Sequence, residues 1–201
     1  MPLTLPAPKS LLVSSRRAFL GDAGKATLSA TAVALIAGCE SMAQTSMGGG
    51  NAMADVNILN VALGLEHEAI MAYQLGAESG LLQKPALDVA MLFQSHHKSH
   101  ADALAGTIRK LGGKPVESKS KAEYAQALNA ASLKNGTDVL KLAARLERGA
   151  TNAYLGVIPS FNDKALAQVA ARLAADEAMH WTALTGALAE ALPPQALSFG
   201  A

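Results

Sequence analysis

The chain has 201 residues, a formal net charge of +1 from 17 basic and 16 acidic side chains, and one cysteine. That balance supplies no basic field for nucleic acid, and a lone cysteine excludes an internal disulfide framework. Half of the residues are hydrophobic but only 4% are aromatic, and the abundant Ala favours close-packed helices over strands.

The N-terminal quarter reads as an address. Ser15-Arg16-Arg17-Ala18-Phe19-Leu20 resembles the twin-arginine export signal, which places a Ser or Thr before two arginines and then Phe-Leu. The mildly apolar run that follows, residues 26–37, is shorter than the about 20 residues of a bilayer-spanning helix. Two cleavage sites compete. Leu35-Ile36-Ala37-Gly38-Cys39 resembles the lipobox of bacterial lipoproteins, with Ile36 where Leu is more usual. Cleavage there makes Cys39 a lipidated N-terminus, and the anchor is then the chain's one membrane contact. Ser41-Met42-Ala43 has the small-x-small pattern of an ordinary signal peptidase site, and cleavage after Ala43 frees the protein. Removing residues 1–38 takes away four basic residues and one acidic residue, which leaves a slightly acidic domain. Residues 39–54, with Gly48-Gly49-Gly50, read as a flexible tether. The expected location is the periplasm or the cell envelope.

From Asp55 onward the apolar residues recur at helical spacing. The first helix is expected over Asp55–Ser79, stopped by Gly80. Pro85 suits the first turn of a second, which runs to Leu111 and stops at Gly112-Gly113. A polar stretch then carries a short helix near Lys121–Ala131, ended by Asn135-Gly136. The third long helix starts at Thr137 or Asp138 and ends before Pro159. Asn162 is the expected cap of a fourth that reaches Ala191, ahead of Pro193-Pro194 and a tail over residues 193–201. Short loops within each hairpin and a long crossover between them predict an all-α four-helix bundle of two packed hairpins over residues 55–192.

The two hairpins resemble each other. Leu65-Glu66-His67-Glu68-Ala69-Ile70-Met71-Ala72-Tyr73 and Leu146-Glu147-Arg148-Gly149-Ala150-Thr151-Asn152-Ala153-Tyr154 both read L-E-x-x-A-x-x-A-Y. The second and fourth helices carry His100-Ala101-Asp102-Ala103-Leu104-Ala105-Gly106 and His180-Trp181-Thr182-Ala183-Leu184-Thr185-Gly186, both H-x-x-A-L-x-G. Offsets of 81 and 80 residues indicate an internal duplication, which makes a bundle with approximate two-fold symmetry.

Glu66 shares its helical face with Ala62, Ala69, Ile70 and Tyr73, and Glu147 shares its own with Ala143, Ala150, Thr151 and Tyr154. A carboxylate on such a stripe costs several kcal/mol unless its charge is compensated. Two at equivalent places call for a shared cation. Glu177-Ala178-Met179-His180 adds a Glu and a His one turn apart on one face.

Taken together these residues resemble the ferritin-like superfamily, in particular exported bacterial proteins with a ferritin-like domain. Its dimetal bundles take one Glu from each of two helices and E-x-x-H from each of the other two. The resemblance implies metal ligands at Glu66, His100, Glu147, Glu177 and His180. His97 stands where the pattern has a bridging Glu, and completes the candidate set. The resemblance implies iron or manganese, with oxidative or stress-protective chemistry. Three carboxylates in place of four leave one positive charge uncompensated over two divalent ions. A neutral imidazole bridges poorly and disfavours hard ferric iron. The expectation is therefore weaker ferric binding, zinc or a mixed pair, or a single occupied site. The other reading is a non-catalytic envelope bundle with a degenerate site. Monomer and homodimer are both open.

Around this set, His96 points about 100° away from His97 and is either an extra ligand or a boundary residue. His67 and Glu68 are expected on a solvated edge, and Trp181 in the packing. Tyr73 and Tyr154 are expected to hydrogen-bond the carboxylates.

Overall fold

The computed structural model describes residues 49–200. The twin-arginine signal, the lipobox-like segment and Cys39 lie outside the described residues. Within them run four long helices and one short one, and no strand. These are α1 (Gly49–Glu78), α2 (Lys84–Lys110), α3 (Lys121–Ala127), α4 (Gly136–Val157) and α5 (Lys164–Ala187). The predicted all-α bundle of two hairpins is what forms: α1 packs mainly on α2, and α4 on α5. None of these helices is long and apolar enough to cross a membrane.

Most boundaries follow local chemistry. Gly80, at φ +70°, turns the chain after α1. Pro85 lies in the first turn of α2, which closes with Gly113 N–H donating to Ile108 C=O and Gly112 N–H to Arg109 C=O. Ser120 and Glu123 form a reciprocal capping box on α3. Asn135 caps α4 by accepting from Asp138 N–H.

Four boundaries differ from expectation. α1 is described from Gly49 rather than Asp55, because Ala52, Met53 and Ala54 are good helix formers and extend it into the last residues of the expected tether. The short helix breaks at Asn129, whose φ of +50° separates α3 from a single 3-10 turn, Ala130–Ser132. α5 is capped by Asp163, which accepts from Ala165 N–H. The expected cap, Asn162, instead donates its backbone N–H and its side-chain amide to Asp55 on α1. α5 also ends at Ala187, short of Ala191. Glu190 N–H donates to Thr185 C=O and Ala189 N–H to Gly186 C=O, a Schellman closure with Ala189 at φ +55°.

Two apolar layers fill the bundle. One gathers Leu59, Leu63, Leu104, Ile108, Leu166 and Leu173; the other gathers Tyr73, Phe93, Ala144, Trp181 and Leu184. The order in which each helix crosses these layers makes α1 and α5 run one way, and α2 and α4 the other. The crossover from α2 to α4 must therefore travel the length of the bundle. It does so along α1, where Tyr124 and Leu128 bury against Ala72. The tail folds back as well. Phe199 meets Trp181 edge-on at 5.0 Å, Arg148 lies over both rings, and Gly200 N–H donates to Asn152. Between the two apolar layers, at mid-height, lie the polar residues.

Candidate metal centre

The four long helices each bring polar side chains to that mid-height plane. Glu66 comes from α1, His97 and His100 from α2, Glu147 from α4, and Glu177 and His180 from α5. All six predicted residues meet, and none is more than 9% exposed.

They form two overlapping groups. Glu66, His97, His100 and Glu177 make one; His97, Glu147, Glu177 and His180 make the other. In each, the potential ligand atoms lie within 4.8 Å of one another. His97 and Glu177, the pair related by the duplication, belong to both. His97 Nδ1 lies 2.8 Å from Glu66 Oε2, and its Nε2 lies 3.1 Å from Glu147 Oε1. Glu177 divides in the same way: Oε1 is 3.2 Å from His100 Nδ1, and Oε2 is 3.1 Å from His180 Nδ1.

The tyrosines cross between hairpins. Tyr73 O–H donates to Glu147, and Tyr154 O–H donates to Glu66. The expected hydrogen bonds are present, and each joins a tyrosine of one repeat to the carboxylate of the other. Burial, and next the charge of its carboxylate partner, push both phenols well above their usual range. They remain donors at any physiological pH.

Two half-buried residues back the outer histidines, again crosswise. Asp176 Oδ2 lies 3.3 Å from His100 Nε2, and His96 Nδ1 lies 2.9 Å from His180 Nε2. His96 is thus in neither group but sits behind His180, a candidate ligand. Asp176 was missed in the sequence reading, although it lies 80 residues after His96 and so occupies the matching repeat position. Both hydrogen bonds turn the Nδ1 atoms of His100 and His180 inward.

Without a cation the cluster is a coupled set of ion pairs. Burial pushes His97 down, but Glu147, Glu66 and Glu177 outweigh it and raise the ring to about 10. Burial likewise opposes the raising of His100, which Asp176, Glu177 and Glu66 lift to about 12. Glu66 falls to about 2, the histidines overcoming its burial, and Glu147 is lowered by His180 and His97 against the same penalty. Glu177 goes the other way, raised by burial that its histidine neighbours only partly offset.

These residues fit a divalent metal. His100 Nδ1, Glu147 Oε2 and Glu177 Oε1 are buried without a well-aligned hydrogen bond, held by ion-pair contacts of 3.2–3.5 Å to one another and to His180, and coordination would satisfy them better. His and carboxylate donors together suit iron, manganese or zinc.

The remaining sequence candidates lie apart. His67 and Glu68 are half-buried rather than solvated, because the crossover returns over α1; His67 feels the charge of Glu117 in that segment. Trp181 is packing, as expected.

Comparison with known proteins places this geometry. A family model described as a ferritin-like domain matches residues 54–190. The crystal structure of a conserved hypothetical protein from Mycobacterium tuberculosis superimposes with a TM-score of 0.59 at 19% identity, covering 74% of this chain and 98% of that one. At that identity the likeness is one of fold. No curated protein matches the chain.

Proposed function

The chain belongs to the ferritin-like domain family, and from that premise we propose that it is an exported protein whose bundle holds a dinuclear metal centre. One observation carries the reading: two four-residue groups of buried, converging donor atoms share His97 and Glu177. Glu66 and His100 would hold one ion, Glu147 and His180 the other, with His97 and Glu177 between them. A bound redox-active pair of iron or manganese would supply electron exchange with oxygen or peroxide, which suits a role in oxidative stress or metal handling. The chain's own part is to place ligands and exclude water. Tyr73 and Tyr154 fix one oxygen of each terminal carboxylate, Asp176 and His96 set the histidine tautomers, and the two apolar layers keep bulk water from both ends.

The test is thermal. Metal-stripped protein should gain several degrees in Tm on addition of Fe(II), Mn(II) or Zn(II), and Glu177→Gln should lose most of that gain. An unchanged Tm with every ion would leave a structural bundle in its place.

The address belongs to the same proposal: export by the twin-arginine route, which carries folded proteins and allows metal to be loaded first, followed by lipidation at Cys39. Arg16→Lys with Arg17→Lys should strand the protein in the cytoplasm. Intact mass of the membrane-fraction protein should show a lipidated Cys39, whereas an unmodified N-terminus at Gln44 would remove the anchor.

A further inference from the structure

The residue that departs from the family pattern is the one whose placement is most informative. His97 lies between the two ligand groups with one ring nitrogen toward each. Nδ1 faces Glu66 Oε2 at 2.8 Å and Glu177 Oε1 at 3.8 Å, and Nε2 faces Glu147 Oε1 at 3.1 Å. The ring is 1% exposed, so neither nitrogen can satisfy itself with bulk water. It also stacks on Tyr73, with centroids 5.5 Å apart and planes 29° from parallel, and this limits its rotation. Its repeat partner Glu177 offers its two oxygens to the two groups in the same divided manner. Both central positions are thus built as two-ended ligands.

We propose that His97 bridges the two metal ions through its two ring nitrogens, as an imidazolate. This rests on the dinuclear reading above and specifies its centre. When both nitrogens donate a lone pair to an ion, the ring releases to solvent both N–H protons it holds in the metal-free cluster and carries one negative charge. With Glu66, Glu147 and Glu177 the site then carries four negative charges, which balance two divalent cations. The charge deficit left by replacing a carboxylate with a neutral imidazole disappears. Two consequences follow. A rigid ring between the ions holds them about 6 Å apart, with each ion roughly 2.0–2.1 Å from its nitrogen, against about 3.5–4 Å for the usual two-metal site. The donor set also suits a divalent, imidazole-favouring pair such as Zn(II) or Fe(II).

Anomalous diffraction from crystals of the mature protein loaded with Zn(II) tests this directly. The expected result is two zinc peaks on opposite sides of the His97 ring, about 6 Å apart, beside Glu66–His100 and Glu147–His180. Two peaks about 3.5–4 Å apart, or His97 bound to one ion alone, would overturn the bridge while leaving the metal centre standing. No zinc at these residues would overturn both. In His97→Glu the peaks should draw together to about 4 Å; unchanged spacing there would also count against the bridge. Should that variant fail to fold, the wild-type crystal alone decides.

Discussion

Tyr73 and Tyr154 each reach across to the carboxylate of the opposite repeat, so the two hairpins are cross-linked at the residues that carry the charge. Tyr73→Phe or Tyr154→Phe removes one hydrogen bond to a buried carboxylate and should cost about 1–3 kcal/mol in urea unfolding of the metal-stripped protein. A cost indistinguishable from zero would mean these bonds are not formed in solution. Glu66 and Glu147 were legible because a charge on an apolar helical stripe needs a reason, and a duplicated charge needs a shared one; Glu177 and His180 followed from their one-turn spacing, and His97 and His100 from the repeat and the resemblance to ferritin-like dimetal bundles. Asp176 was not singled out, and His96 stayed open between an extra ligand and a boundary residue. Each directly precedes a central residue of its repeat. Only the side-chain contacts between α2 and α5 reveal that each backs the other repeat's histidine.

The hairpins owe part of their junction to single side chains. Asp55, only 3% exposed, accepts the backbone N–H groups of Asn162 and Asp163 and so pins the α4–α5 loop to α1. Asp55→Ala should destabilise the fold by about 2 kcal/mol and leave metal stoichiometry unchanged, measured by denaturation and metal analysis side by side. Ala189 closes α5 in a left-handed conformation, φ +55°, where a Cβ is disfavoured. Ala189→Gly should therefore stabilise by up to about 1 kcal/mol; a loss would contradict the strain argument. Helix number, order and the pairing into two hairpins followed from apolar period and punctuation. The cap of α5 did not, because the partner that draws Asn162 away lies 107 residues earlier, and no local pattern encodes such a competitor. The return of the tail onto Trp181 is equally a long-range event.

For the molecule as a whole, the polar centre couples stability to pH and, on the proposed function, to metal. In the stripped protein His97 is raised from 6.5 to about 10, so its pairing contributes stability that is full below pH 6.5. That contribution is lost as the pH rises through about 10. The urea midpoint of the stripped protein should accordingly fall between pH 7 and pH 10; a rise would contradict the ion-paired cluster. On the acid side Glu66, lowered from 4.5 to about 2, contributes stability above pH 4.5 that is lost as the pH falls through about 2. Metal must displace the protons held on His97 and His100, so affinity should climb with pH across the same alkaline window. The most direct measurement is the metal content of the protein purified from its native compartment, by mass spectrometry of the elements against protein concentration. The account predicts transition metal approaching two equivalents per chain, lost on chelation together with several degrees of Tm. Less than about a tenth of an equivalent, with a Tm indifferent to chelator, would contradict it.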